Sequence, residues 1–179
     1  MKLVIIGNSG SGKSTLAKAL VLRYELPYLD LDTLAWNNTV PPTRKPVSES
    51  LVEIMSFITA HSNSWVIEGC YSDLASALFC EVSSSTHDAE ITLVFMDLST
   101  NDCIENAKSR PWEPHKYESK AAQDENLAML IEWIGNYDKR SDTLSRQAHD
   151  TLFKEYSGPK VRITERLPVE RIINLITNR

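Results

Sequence analysis

The sequence predicts an α/β fold, a parallel sheet with helices on both faces. Three observations carry that prediction. Short apolar runs alternate with stretches whose apolar residues recur at helical spacing. The first run, Leu3-Val4-Ile5-Ile6, is apolar without interruption, as a strand covered on both faces requires. Strand and helix units that alternate in this way join parallel strands through right-handed crossovers.

The elements follow in order. Residues 2–6 form the first strand. Residues 13–25 form a helix with Leu16, Ala19, Leu20 and Arg23 at helical spacing, ended by Pro27. Residues 28–32 are a second strand. Residues 49–60 are helical, with Leu51, Ile54, Met55 and Ile58 on one face. Residues 65–68 are a third strand, ended by Gly69, and 72–80 a short helix. The run Ser-Ser-Ser-Thr-His-Asp at 83–88 reads as a surface loop. Residues 91–96 are a fourth strand and 100–109 a helix stopped by Pro111. A loop covers 110–117. A helix over 118–136 presents Leu127, Leu130, Ile131 and Ile134. Another over 142–156 stops at Gly158-Pro159. Residues 161–163 are a weak fifth strand, and 169–177 an amphipathic helix through Ile172, Ile173 and Ile176.

Composition narrows the function. The 179 residues suit one domain, and 42% apolar content is a globular value. The longest apolar stretches, 3–6 and 93–96, fall far short of the ~20 residues that span a bilayer. Met-Lys and four apolar residues before Gly7 are too few for a signal-peptide core, so a cytoplasmic location without membrane partners is expected. Cys70, Cys80 and Cys103 lack metal-ligand spacing and read as reduced thiols. His61, His87, His115 and His149 show no metal spacing either and receive no role. A net charge of −5 argues against a nucleic-acid partner, which needs a basic surface. The chain is expected as a monomer or weak homodimer.

Ligands of parallel α/β sheets bind at the carboxyl ends of the strands, so the residues just after each strand matter most. After the first strand stands Gly7-Asn8-Ser9-Gly10-Ser11-Gly12-Lys13-Ser14-Thr15, which fits G-x-x-x-x-G-K-S, the P-loop pattern, in full. A strand precedes it and a helix follows, the context the pattern needs. Glycines let the backbone turn its N–H groups toward phosphates, and the helix start adds partial positive charge. Lys13 is placed to reach the β- and γ-phosphates of ATP, and the Ser14 hydroxyl to ligate Mg²⁺.

Asp30 and Asp32 stand at and just past the end of the second strand, where spacing of two puts both on one side of an extended chain. One reading has Asp30 orient a water on Mg²⁺ and Asp32 accept the proton of an acceptor hydroxyl. The other has solvated turn residues, with Asp32 capping a short helix at 33–36. Glu68 and Asp97 each follow an apolar strand, and either could hold the metal's water shell. The strand beside the P-loop strand decides between them. Positive groups must close over a transferring phosphoryl. Candidates are Arg44, Lys45, Arg110, Lys139, Arg140 and Arg146. Arg110 opens a lid-like loop, 110–118, and Arg140 is the second catalytic candidate. Trp36 and Tyr71 could wall an acceptor pocket together with Asp32 and Arg44, in which 33–62 would be the acceptor-side helical region.

With these motifs the chain resembles the P-loop nucleoside-monophosphate kinase and shikimate kinase superfamily over nearly its whole length. Tyr28-Leu29-Asp30-Leu31-Asp32 resembles the Asp-x-Asp element of shikimate kinases, and Val66-Ile67-Glu68-Gly69 the strand-end Asp-Gly of adenylate kinases. The second match favours Glu68 over Asp97 as the metal-side carboxylate. Arg110 resembles the first lid arginine. Leu34-Ala35-Trp36 and Trp65-Val66-Ile67-Glu68-Gly69-Cys70-Tyr71 resemble a bacterial group of adenylate kinase-like (DNA topology modulation protein-like) P-loop kinases. The resemblance implies a P-loop NTPase fold with a five-stranded parallel sheet of order 2-3-1-4-5. It also implies a kinase that moves the γ-phosphoryl of Mg·ATP to a small hydroxyl- or phosphate-bearing acceptor. Cys70-Tyr71-Ser72 stands where adenylate kinases carry Phe-Pro-Arg, so the arginine that grips a nucleotide acceptor is missing. A nucleotide-dependent regulatory ATPase acting on a macromolecule is the alternative.

Overall fold

The computed structural model describes residues 1–83, 90–113 and 118–178. Its centre is β1 (Lys2–Gly7), hydrogen-bonded in parallel to β5 (Trp65–Gly69) on one side and β6 (Ile91–Met96) on the other. β2 (Tyr28–Asp30) extends the sheet beyond β5, and β7 (Lys160–Ile163) beyond β6. A two-stranded antiparallel ribbon, β3 (Trp36–Asn37) and β4 (Thr43–Arg44), stands apart from it.

The sheet order is therefore β2-β5-β1-β6-β7; it differs from the expected 2-3-1-4-5 in numbering because of the ribbon, and the five strands of the sheet counted alone run 2-3-1-4-5. The ribbon takes the third and fourth places in the chain, within a segment expected to be helical. Its strands are two residues each, too short to show alternation.

Alternate β1 residues go to opposite faces, as a pleated strand requires. Leu3 and Ile5 pack with Leu16 and Leu20 of α1 (Lys13–Tyr24) and with Ile172, Ile173 and Ile176 of α7 (Val169–Thr177). Val4 and Ile6 pack with Ile54 of α2 (Val47–Ala60), Leu74 and Leu78 of α3 (Ser72–Ser83) and Leu152 of α6 (Arg146–Glu155). All four β1 side chains are at most 1% exposed. Burying each stabilises the fold by about 1.5–3 kcal/mol, which explains the unbroken apolar run.

Several bounds differ from expectation. β2 stops at Asp30 because Leu31–Thr33 turns into a 3-10 helix. α4 (Thr100–Lys108) is capped by Ser99, α5 (Lys120–Gly135) by Ser119 and α6 by Ser145, each serine hydroxyl accepting a backbone N–H. The expected helix start at 142 is thus three residues early for its cap and four for the helix. Region 33–62 is helical only from Val47 onward. The expected loop at 83–88 lies outside the described residues apart from Ser83, which ends α3. Of the lid-like loop, 114–117 lie outside them too. No helix among the described residues is long and apolar enough to cross a membrane.

Candidate active site

The parallel register brings the strand ends level. Gly7 is opposite Met96, Ile6 opposite Gly69 and Asp30 opposite Glu68. Into this edge opens a cleft of about 780 Å³ whose wall includes residues 9–15, Asp32, Glu68 and Arg110.

The glycine-rich loop leaves β1 through positive-φ positions. Gly7 has φ +146°, and a Cβ there would lie 2.4 Å from the Met96 carbonyl oxygen. Gly10 has φ +77°, and a Cβ would lie 2.3 Å from the Cys103 carbonyl oxygen, because α4 packs against the loop. Both positions exclude side chains. Asn106 of α4 donates to the Gly10 carbonyl at 2.8 Å, and Asn8 donates to the Ile134 carbonyl at 3.2 Å. The loop is thus held from outside by two helices. Lys13 opens α1, is 7% exposed, and donates to the Asn8 carbonyl at 2.9 Å. Ser11 Oγ and Asn8 Oδ1 are buried with no hydrogen-bond partner among the described residues. A loop with close-packed glycines, a buried lysine and an unpaired hydroxyl fits a phosphate chain.

Ser14 Oγ donates to Glu68 Oε1 at 2.7 Å, and Tyr28 Oη donates to the same oxygen at 2.9 Å. Burial, then Glu68, pushes the Tyr28 phenol far above its ordinary range, so it remains a donor. Both β5 and β6 flank β1, so strand adjacency does not separate Glu68 from Asp97 as expected. Hydrogen bonding does. Asp97 is paired with Arg146 and with Arg162, whose Nε donates to it at 2.8 Å. Glu68 faces Ser14 and the cleft. A hydroxyl and a carboxylate side by side are hard oxygen donors suited to Mg²⁺. No group of three His, Cys, Asp or Glu with metal-site geometry occurs among the described residues.

Asp30 and Asp32 do not share one side of a strand, because the chain turns between them. Asp30 Oδ1 accepts the Asp32 N–H at 2.9 Å and caps the 3-10 helix, so the cap is Asp30 and not Asp32. Asp32 is on the cleft wall, and Asp30 is not among the wall residues. Asp32 Oδ1 accepts the Tyr71 hydroxyl at 2.7 Å, and Tyr71 in turn accepts the Trp36 indole N–H at 2.7 Å. Burial is the main cause that raises the Tyr71 phenol, which therefore keeps its proton and donates to Asp32.

Trp36, Tyr71, Asp32 and Arg44 therefore do meet. Arg44 is an internal tie, however. It donates through Nη1 to the Ala35 carbonyl at 2.8 Å, pairs with Asp73 at 3.0 Å and lies 4.6 Å from the Tyr71 ring centre. Lys45 pairs with Glu53.

Arg110 reaches the cleft, paired with Glu113 at 3.1 Å. The turn is tied to α5 by Gln123, which donates to the Pro111 carbonyl and accepts the Glu113 N–H. Arg140 lies over the Trp133 ring at 3.8 Å and donates to the Leu144 carbonyl at 2.9 Å. Its Nε and Nη1 are buried without a hydrogen bond among the described residues, Nε is ion-paired with Asp142 at 3.7 Å, and Arg140 is not among the wall residues of the cleft. Arg146 joins Asp97 to Asp138.

Three contributors escaped the sequence pattern. Tyr28 starts the strand that ends at Asp30 and had no motif of its own. Asn106 carries no signal. Glu165, Arg166, Leu167 and Val169, which follow β7, also line the cleft, where the strand-end rule places residues after the last strand. Cys70 also lines the cleft, and burial pushes its thiol up to about 11, so it is a protonated neighbour and not a nucleophile.

No family model and no curated protein matches the chain. Solved structures share its fold. An unliganded sugar kinase from Janibacter sp. HTCC2649 aligns at TM-score 0.56 and 14% identity, over 99% of this chain and 92% of the other. A kinase candidate from Chloroflexus aurantiacus j-10-fl aligns at TM-score 0.52 and 17% identity, over 99% and 94%. At these identities the likeness is one of fold.

Proposed function

We propose that the chain is a P-loop phosphotransferase that moves the γ-phosphoryl of Mg·ATP to a small acceptor. One observation carries this reading: the buried Lys13 and the Ser14–Glu68 pair open on the same cleft as Asp32. Donor-type groups and an acceptor-type carboxylate thus share one space. The fold shared with a sugar kinase and a kinase candidate agrees with it.

Ser14 and Glu68 would hold Mg²⁺, which neutralises charge on the phosphates, and Asp30 stands beside Glu68 in register. The backbone of residues 7–15 cradles the triphosphate, and Lys13 turns to it. Asp32, held by Tyr71, accepts the hydroxyl proton of the acceptor. Arg110 and Arg140 offset charge on the transferring group.

The test is ADP formation by purified protein with Mg·ATP against nucleoside monophosphates, nucleosides, shikimate and neutral polyols. Lys13→Ala is the control. One compound should raise ADP formation above background, and Lys13→Ala should lower that rate by about 100-fold or more. Undiminished turnover in Lys13→Ala would overturn the assignment. Tight ATP binding with no response to any compound would favour the regulatory ATPase.

A further inference from the structure

His149 is fully buried on α6, yet the reading above gives it no part. Its Nε2 is 3.0 Å from the Cys70 carbonyl oxygen, and its Nδ1 is 2.7 Å from the Tyr137 hydroxyl. A carbonyl only accepts, so Nε2 carries the hydrogen. In the neutral ring Nδ1 is then an acceptor, and the Tyr137 O–H donates to it. The direction of both bonds is determined. Burial first, and Lys13 second, lowers the imidazole pKa to about 3, so the ring is neutral at ordinary pH.

Of the two partners Cys70 is on the cleft wall, whereas Tyr137 is behind it, in the turn that carries Arg140. Cys70 follows Glu68 and Gly69 and precedes Tyr71, the residue that holds Asp32. Tyr137 begins the turn that presents Arg140, whose N–H closes on the Asn136 carbonyl at 3.0 Å. Tyr137 is 1% exposed and accepts the Arg146 N–H at its own carbonyl. A second tie runs parallel, because Ser72 donates through both N–H and Oγ to the Thr143 carbonyl. The Arg140 turn is thus fastened to the β5–α3 turn at both of its ends, and His149 is the buried fastening.

We propose that His149 is a positioning residue for phosphoryl transfer, setting the Arg140 turn against the Cys70-Tyr71 turn through its two ring nitrogens. The proposal rests on the kinase reading. Misplacement of a charged group by an ångström, without loss of the fold, lowers turnover by about a hundredfold. Nucleotide binding depends on residues 7–15 and is left intact. His149 therefore acts on turnover and not on ATP affinity.

The experiment compares full-length wild type, His149→Gln, Tyr137→Phe and the double variant. The glutamine keeps a donor for the Cys70 carbonyl and loses the Tyr137 bond, which Tyr137→Phe removes from its other side. Turnover of Mg·ATP, with the acceptor found above or with water, is measured beside the ATP dissociation constant. Both single variants should lose turnover by about tenfold to a hundredfold, the double variant no more than the worse single one, and ATP affinity should shift by less than about twofold. Unchanged turnover in folded variants would overturn the proposal. So would losses that multiply, or an equal loss of ATP affinity. If His149→Gln does not fold, Tyr137→Phe decides alone.

A separate readout is the NMR signal of the Arg140 Nε–H, assigned with Arg140→Lys. It should be sharp in wild type and broadened or shifted in Tyr137→Phe. No change there would count against positioning. Absence of Lys13-dependent turnover in wild type sinks the kinase reading instead, and the NMR signal still decides whether His149 orders the Arg140 turn.

Discussion

Asp32 and Glu68 are both acidic strand-end residues, and their partners separate their tasks. Glu68 accepts two hydroxyl donors beside the glycine-rich loop, whereas Asp32 on the cleft wall accepts one phenol. Asp32→Asn should therefore lower kcat by roughly 100-fold with ATP affinity nearly unchanged, measured by steady-state kinetics and calorimetry. Lost ATP binding with normal turnover per bound ATP would contradict that role. His149 makes a different prediction, about stability. Its folded pKa, about 3, lies below its ordinary value of 6.5. The unfolded chain takes up a proton below 6.5 and the folded chain does not until about 3, so stability present above pH 6.5 is lost as pH falls through that window. The slope is up to about 1.4 kcal/mol per pH unit, and urea unfolding at about pH 7.5 and about pH 5 should show it. His149→Gln should show a shallower loss, and an equal loss in both proteins would remove His149 as the cause.

The helices and turns explain what was legible in the sequence and what was not. The glycine-rich loop was readable in full, because each glycine answers a backbone need: Gly7 and Gly10 each face a carbonyl oxygen at a distance no Cβ tolerates. The helix expected from residue 142 starts at Arg146, because Ser145 caps it and accepts the Ala148 N–H at 3.1 Å. Ser145→Ala should lower stability by about 1 kcal/mol, read as a shift in the urea midpoint. The β3–β4 ribbon was unreadable for another reason. It depends on distant contacts, namely Arg44 with Asp73 and the Trp36 indole with Tyr71. Arg44, an acceptor-side cation by its sequence, is in the fold also tied to the Ala35 carbonyl and Asp73.

Across the molecule, the sheet carries two kinds of glue. Apolar alternation on β1 joins both helix layers, and this was legible as a continuous run. The second kind was hidden, because it joins residues far apart in the chain. Asp97, with its side chain 6% exposed, binds Arg146 at the start of α6 and Arg162 on β7, and Arg146 reaches on to Asp138. Asp97 was one of two candidates for the metal side, and no spacing rule shows that two arginines neutralise it. Asp97→Asn leaves both arginines without that countercharge and should cost about 3 kcal/mol, measured by denaturant unfolding. It should leave ATP affinity close to wild type in the folded fraction, whereas Glu68→Gln should weaken Mg-dependent ATP binding and cost less stability.

In the proposed kinase the γ-phosphoryl of ATP leaves through this cleft for another small molecule. Phosphorus NMR of a reaction with Mg·ATP and the best acceptor reads its destination directly. A new phosphoester signal, or a phosphoanhydride signal for a phosphate-bearing acceptor, should grow with ADP and be absent with Lys13→Ala. Inorganic phosphate as the sole product, or an equal phosphoester signal from Lys13→Ala, would contradict it.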